Sequence, residues 1–332
     1  MPAEWAPQKA TWLSWPSNPK LWPGHFDLIP AKFAEFAAHI SRFQPVKINA
    51  AGALKAQALQ CLQAAKADLS VIELVEIPTN DVWCRDHGPI FVKNNKTGEL
   101  AITDWEFHGW GGKFTANLDN EVPGKIAQHL GLKKFSYPFE LEGGGIEVSG
   151  DGLLLTTEAV QNNPNRATGR DDQAFHRAIR EGLNIDEILW IGEGLANDDT
   201  DGHIDNLARF VGPRRLLVVS EKNPASPNYA PLQKNLERLR ETRVKGNERL
   251  EIIELPLPTP IQLAGRDLPP SYANFLIVND GVLVPIYGQA SDRQALGIIQ
   301  DCFPQRRVVG IDCRVMLIEG GALHCLSQQQ PA

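Results

Sequence analysis

A cysteine at the end of a glycine-rich run is the first residue whose type and setting point to chemistry. Cys325 closes Glu319-Gly320-Gly321-Ala322-Leu323-His324-Cys325, seven residues before the last one of the chain. Paired glycines let backbone approach a ligand closely, and a thiol placed there can act as a nucleophile. A lone cysteine is more often a small buried hydrophobe. That plainer reading suits Cys61, Cys302 and Cys313, the first two of which fall on amphipathic helix faces. The second candidate is Asp201-Gly202-His203-Ile204-Asp205-Asn206. Taken as a strand, it puts His203 and Asp205 on one face, a general acid–base beside a carboxylate. A metal pair or a histidine satisfied in a polar loop are the alternatives. A metal needs further ligands, and no H-x-x-x-H or C-x-x-C spacing occurs.

Asp86 stands in Trp83-Cys84-Arg85-Asp86-His87, just before the turn-forming Gly88-Pro89. Neighbours on an extended chain face opposite ways, so Asp86 can face a pocket while Arg85 anchors the loop elsewhere. A buried Arg–Asp pair is the alternative. Glu142 opens Glu142-Gly143-Gly144-Gly145 and is a further carboxylate for the same centre. Trp83 reads as packing or as a substrate wall, and no role follows for Cys84, His87 or Glu319. The glycines at 143–145 and 109–113 lack the spacings that cradle phosphates, so nucleotide binding is discounted.

Residues this far apart must be brought together by repeated elements. The order helix, strand, polar loop recurs five times. Leu54, Ala58, Cys61, Leu62 and Ala65 share a helical face, followed by a strand at 71–77 and the loop Asn80–Pro89. Helices at 123–131 and 171–182, and around Leu232–Leu239 and Ala295–Cys302, begin the other four units. Two of the loops match closely: Leu141-Glu142-Gly143-Gly144-Gly145-Ile146 against Ile318-Glu319-Gly320-Gly321-Ala322-Leu323. The repetition points to internal pseudo-symmetry of the propeller or array kind, whose loops converge on one pocket. A doubly wound α/β sheet is the rival, since alternation alone does not separate the two. No Pro/Gly-rich linker divides the chain, so residues 1–332 read as one domain.

Composition narrows the setting. A net charge of −7 argues against a nucleic-acid partner and fits a cationic small substrate. The N-terminus has neither the basic nor the apolar region of a secretory signal, and no apolar run approaches the ~20 residues of a membrane span. Five scattered cysteines do not read as a disulfide framework. The expected setting is cytoplasmic, with reduced thiols.

Together, MPAEWAPQKATWLSWP, NDVWCRDHGP, LEGGGIEVSGDGLLLTTE with NPNR, TDGHIDN, SYANFLIVNDGVLVP and EGGALHCLSQQQP resemble the agmatine deiminase and bacterial peptidylarginine deiminase family of guanidino-group-modifying enzymes, nearly end to end. The resemblance implies a five-bladed α/β propeller of the pentein type. It implies Cys325 as nucleophile, His203 as general acid–base, and Glu142 as the glutamate that supports the histidine and binds substrate. It places the two guanidinium-binding aspartates at Asp86 and Asp205, the aromatic wall at Trp83, and an acidic residue near the amine end of agmatine at Asp199. The chain departs from the common pattern at Ala322, where such enzymes carry Asn, and at Leu207-Ala208-Arg209.

A guanidinium is delocalised and hard to deprotonate, so its carbon is a poor electrophile until carboxylates grip its N–H fork and orient it. The implied reaction is hydrolysis of agmatine to N-carbamoylputrescine and ammonia through a thiouronium on Cys325, with neither cofactor nor metal. Carboxylates near the thiol raise its pKa, so the bound cation itself is expected to promote thiolate formation. The acidic run Asp198, Asp199 and Asp201 would attract the free amine, or is simply a solvated loop. Alternatives are a peptidyl-arginine or free-arginine deiminase, an amidinotransferase, and a non-catalytic polyamine-binding protein. A homo-oligomer is left open.

Overall fold

A computed structural model of the chain describes residues 1–263 and 265–332. Five sheets of three or four strands carry the architecture, and each has the same internal order. An antiparallel pair comes first, and a helix then crosses over to a third strand that is parallel to the second. In the second sheet Ile90–Lys93 pairs antiparallel with Leu100–Glu106, which pairs parallel with Lys133–Glu140. Glu147–Val148, Leu153–Thr157 and Glu187–Ile191 repeat the pattern. So do Ala208–Gly212, Arg215–Ser220 and Glu251–Pro256, and Leu276–Val278, Gly281–Ile286 and Arg307–Asp312. The first sheet pairs Gln8–Ser14 with Ser327–Pro331 and so joins the two ends of the chain. It then adds Val46–Asn49 and Ile72–Val75 in parallel.

The crossover helices form where the periodicity places them. Val122–Leu130 has Pro in its first turn and ends on Gly131 at φ 65°, the left-handed cap that only glycine adopts freely. Asp172–Leu183 is capped by the Asp171 carboxylate, which accepts the Ala174 N–H. Tyr229–Glu241 buries Leu232, Leu236 and Leu239, and Ser291–Cys302 buries Ala295, Ile299 and Cys302. One crossover helix has no counterpart in the sequence reading: Ile29–Ser41, in the first sheet's opening crossover. Nine of its thirteen residues are buried, so no amphipathic stripe announces it.

Two local expectations are corrected. His203 and Asp205 do not lie on a strand; Ile204–Asn206 is a 3₁₀ turn, with His203 just before it. Within Asn80–Pro89, Cys84–His87 is one helical turn rather than extended chain. Among the described residues no helix is long and apolar enough to cross a membrane.

The repetition has a consequence for function. Each sheet's antiparallel pair is entered from a loop, and those loops carry the side chains of the candidate site. Trp83–Asp86 precedes Ile90, Glu142–Gly144 precedes Glu147, His203–Asp205 precedes Ala208, Asn274 precedes Leu276, and Cys325 precedes Ser327.

Candidate active site

The five loops deliver their polar side chains to one place. Cys325, 3% exposed, has its sulfur 3.4 Å from Asp205 Oδ2, within reach of a thiol hydrogen bond. Asn274 orients the cysteine on two sides: its Nδ2 donates to Sγ at 2.9 Å, and its Oδ1 accepts the Cys325 N–H at 3.2 Å. His203 directs Nε2 at Glu142 Oε2, 2.7 Å away, and Nδ1 at Asp86 Oδ1, 3.6 Å away. Glu142 is clamped from its other side by Arg166, whose Nε and Nη2 donate to its two oxygens at 3.0 Å each. Asp86 accepts the Gly144 N–H at 3.0 Å and the Trp110 indole N–H at 3.1 Å.

Glycine is required at the centre. A Cβ on Gly144 would lie 2.6 Å from His203 Nδ1 and 2.7 Å from Asp86 Oδ1, so any side chain there would enter the carboxylate cluster. Gly321 does the same for the wall, since a Cβ would meet the Trp83 ring at 2.3 Å. Trp83 is backed by Trp22, with ring centroids 6.0 Å apart.

These groups sit at and beneath the floor of a cavity of about 490 Å³, its open mouth included. Cys325, Asp86, Trp83 and Trp110 line it, and Asp81, Asp199 and Glu319 add carboxylates. Asp205, His203 and Glu142 lie directly behind that lining, fully buried. Asp205 Oδ1 and His203 Nδ1 have no hydrogen-bond partner among the described residues. Two unsatisfied buried polar atoms beside a thiol are what a polar ligand would complete.

Burial and charge set the protonation states. Desolvation opposes a charged His203, but Asp86, Glu142 and Asp205 outweigh it and lift the imidazole to about 9. Burial raises Asp86 to about 6, with His203 pulling it down and Asp205 and Glu142 pushing it up. Asp205 and Glu142 are also opposed by desolvation, yet both stay below the ordinary carboxylate range. His324 is the chief stabiliser of Asp205, while His203 and Arg166 stabilise Glu142. Burial, then Asp205 and Asp86, hold the Cys325 thiol well above its usual value, against the Asn274 hydrogen bond.

Six of the seven sequence-derived residues therefore meet in one locality, and Asp199 stands at its rim, where Arg266 Nη2 approaches Oδ2 at 3.4 Å. The rest of the acidic run is occupied elsewhere. Asp198 accepts from Thr200, and Asp201 pairs with Lys113 and Arg166. Arg85 turns away from the cavity to Gln328 and Gln329. Sequence reasoning missed Arg166, Asn274 and Trp110. The quoted segments contain Arg166 and Asn274, but nothing local reveals their partners. Cys84 is buried and pushed up to about 12, chiefly by desolvation. Glu319 accepts the Trp22 N–H at 2.8 Å. Glu4, Glu147 and His324 lie close enough together to hold a cation, but Arg209 already binds both glutamates.

The profile of Porphyromonas-type peptidyl-arginine deiminases matches residues 1–331. The agmatine deiminase of Ectopseudomonas mendocina is 38% identical over 357 residues, spanning 100% of this chain and 95% of that protein. Among solved structures, a substrate-bound Cys-to-Ser variant of C. jejuni agmatine deiminase superposes with a TM-score of 0.90 at 31% identity, covering 99% of this chain and 95% of that one. Enterococcus faecalis agmatine deiminase gives 0.90 at 31% identity, with 100% and 95% coverage. An amidinotransferase from Microseira wollei, 10% identical with a TM-score of 0.52, shares the α/β fold alone. A match over essentially the whole chain makes this protein a member of the Porphyromonas-type peptidyl-arginine deiminase family.

Proposed function

We propose that this protein is a cysteine-dependent hydrolase that deiminates agmatine to N-carbamoylputrescine and ammonia. The observation that carries the reading is a thiol, an imidazole and three carboxylates gathered at and directly beneath one cavity floor from four separate loops. Asp86 and Asp205 grip the guanidinium N–H groups and turn its carbon towards Cys325, with Trp83 as the wall beside it. The sulfur attacks and a C–S bond forms. Protonated His203, steadied by Glu142 and Arg166, gives its proton to the departing nitrogen as the C–N bond breaks. Neutral His203 then takes a proton from water, whose oxygen adds to the amidino carbon. The C–S bond breaks as the new hydroxyl gives up its remaining proton through solvent to the released ammonia, which leaves as ammonium, freeing the ureido product and restoring the thiolate. Acid–base assistance of this kind is worth about 10²–10⁴-fold in rate. The residues supply nucleophile, proton donor and charge stabilisation without a cofactor or metal.

The far end of the cavity favours an amine. Asp81, Asp199 and Glu319 all line the cavity, and burial raises Asp81 to about 8 and Glu319 above its usual range. A cationic tail would recharge these carboxylates, whereas the α-carboxylate of free arginine would be repelled. One observation favours a second reading: Arg266, beside Asp199, is a cation that an arginine carboxylate would seek. Ureido product and ammonia measured with agmatine, free arginine and an arginine peptide in parallel decide between them. Turnover confined to free arginine or to the peptide would overturn the agmatine assignment.

The five sheets of like order, with functional loops at corresponding positions, support a five-bladed α/β propeller built as a single catalytic domain. The described cysteines are all free, in keeping with a cytoplasmic setting.

A further inference from the structure

His324, next to the nucleophile, is absorbed by none of the steps above, yet it is bound on both ring nitrogens. Nδ1 lies 2.8 Å from Asp205 Oδ2, and Nε2 lies 2.9 Å from Glu4 Oε2. The side chain is 1% exposed, so water does not share these contacts. A neutral imidazole has one N–H and one lone pair. Set between two carboxylate oxygens, it would satisfy one and repel the other. The geometry calls for a proton on each nitrogen.

What lies behind Glu4 extends the pattern. Arg209, fully buried, binds Glu4 through Nη2 and Glu147 through Nε, the latter at 2.9 Å. Its Nη1 donates to the carbonyls of Ala273 and Phe275, and Phe275 packs under the guanidinium at 4.6 Å. Glu4 Oε1 accepts the Ile277 N–H at 2.7 Å, and Glu147 Oε1 accepts the Phe210 N–H at 2.9 Å. Charges therefore alternate along a buried line: Asp205, His324, Glu4, Arg209, Glu147. Arg85 flanks the line and donates to the His324 carbonyl at 3.3 Å. On the substrate side Asp205 faces Cys325, His203 and Asp86, with Asp198 more distant.

We propose that His324 is a positioning residue: as an imidazolium bridging Asp205 and Glu4, it keeps one of the two guanidinium-gripping carboxylates ionised and aimed, and Arg209 anchors that bridge from behind. The reach is long in sequence, because a glutamate at position 4 then governs a carboxylate at position 205. This inference rests on the reading of Asp205 as a guanidinium ligand. Its sign is definite. Removing the positive charge behind Asp205 leaves a buried carboxylate with acidic neighbours, so its protonation moves up in pH.

The test compares Glu4→Gln and His324→Gln with the unaltered protein. His324→Gln keeps one N–H donor but carries no charge. The expected result is a kcat/KM that approaches the parent's at mildly alkaline pH and falls at least about tenfold further than the parent's towards pH ~5. A uniform loss at every pH would mean a structural role only and would overturn the proposal. A second measurement does not depend on any variant folding. Nitrogen-15 spectra of the unaltered full chain should show His324 carrying protons on both ring nitrogens at neutral pH, and a singly protonated ring would refute the bridge. Failure of the functional reading looks different: no ureido product forms at any pH, while the ring spectrum still reports on the bridge.

Discussion

Adding an unreactive guanidinium or amidinium cation should lower the pH at which Cys325 becomes a thiolate. In the free protein both relevant protons are in place at neutral pH, because the thiol is held well above its ordinary value and His203 at about 9. The reactive arrangement, thiolate with imidazolium, holds one proton fewer. The logarithm of kcat/KM should therefore rise with a slope of about one from neutral pH up to about 9. Below about 6, where Asp86 takes up its proton, the slope should steepen. The bound cation changes the thiol directly. A unit positive charge about 4 Å from sulfur, at an effective dielectric of about 20, is worth about 4 kcal/mol. That corresponds to roughly three pH units. The assay is a pH titration of thiolate ultraviolet absorbance, with and without the cation, using Cys325→Ala to subtract the other chromophores. A thiolate already present at neutral pH in the free protein, or a titration unmoved by the cation, would refute substrate-assisted activation.

Three further perturbations probe other parts of the site. Arg166→Ala leaves Glu142 buried without its bidentate partner, so chemical denaturation should report a loss of about 3–5 kcal/mol, together with reduced kcat. Gly144→Ala puts a methyl group between His203 and Asp86. Circular dichroism should show a folded protein whose kcat falls by about 10² or more, as for a misplaced reacting group. Asp199→Ala removes an exposed rim carboxylate; KM for agmatine should rise by at most about fivefold with kcat unchanged, the worth of a solvent-exposed pair.

The sequence was most readable where chemistry and periodicity are local. Crossover helices such as Asp172–Leu183 show one apolar face, and their periodicity places them within a residue or two. Ile29–Ser41 shows no such face, because Phe33, Phe36, Ala37 and Ile40 bury it on several sides. A 3₁₀ turn, where the spacing suggests strand alternation, brings both His203 and Asp205 to the cluster. Arg166, Asn274 and the pairing of His324 with Glu4 stayed hidden because their partners lie 24, 51 and 320 residues away. Such contacts depend on how the loops converge, which spacing along the chain does not encode.

A covalent bond between Cys325 and the substrate's guanidino carbon should be trapped by rapid quenching followed by mass spectrometry of the C-terminal peptide. With a slowly turned-over agmatine analogue, the mass added to Cys325 should equal the analogue less one ammonia. An unmodified Cys325 during active turnover, or the added mass on Cys84 instead, would rule out Cys325 as the nucleophile.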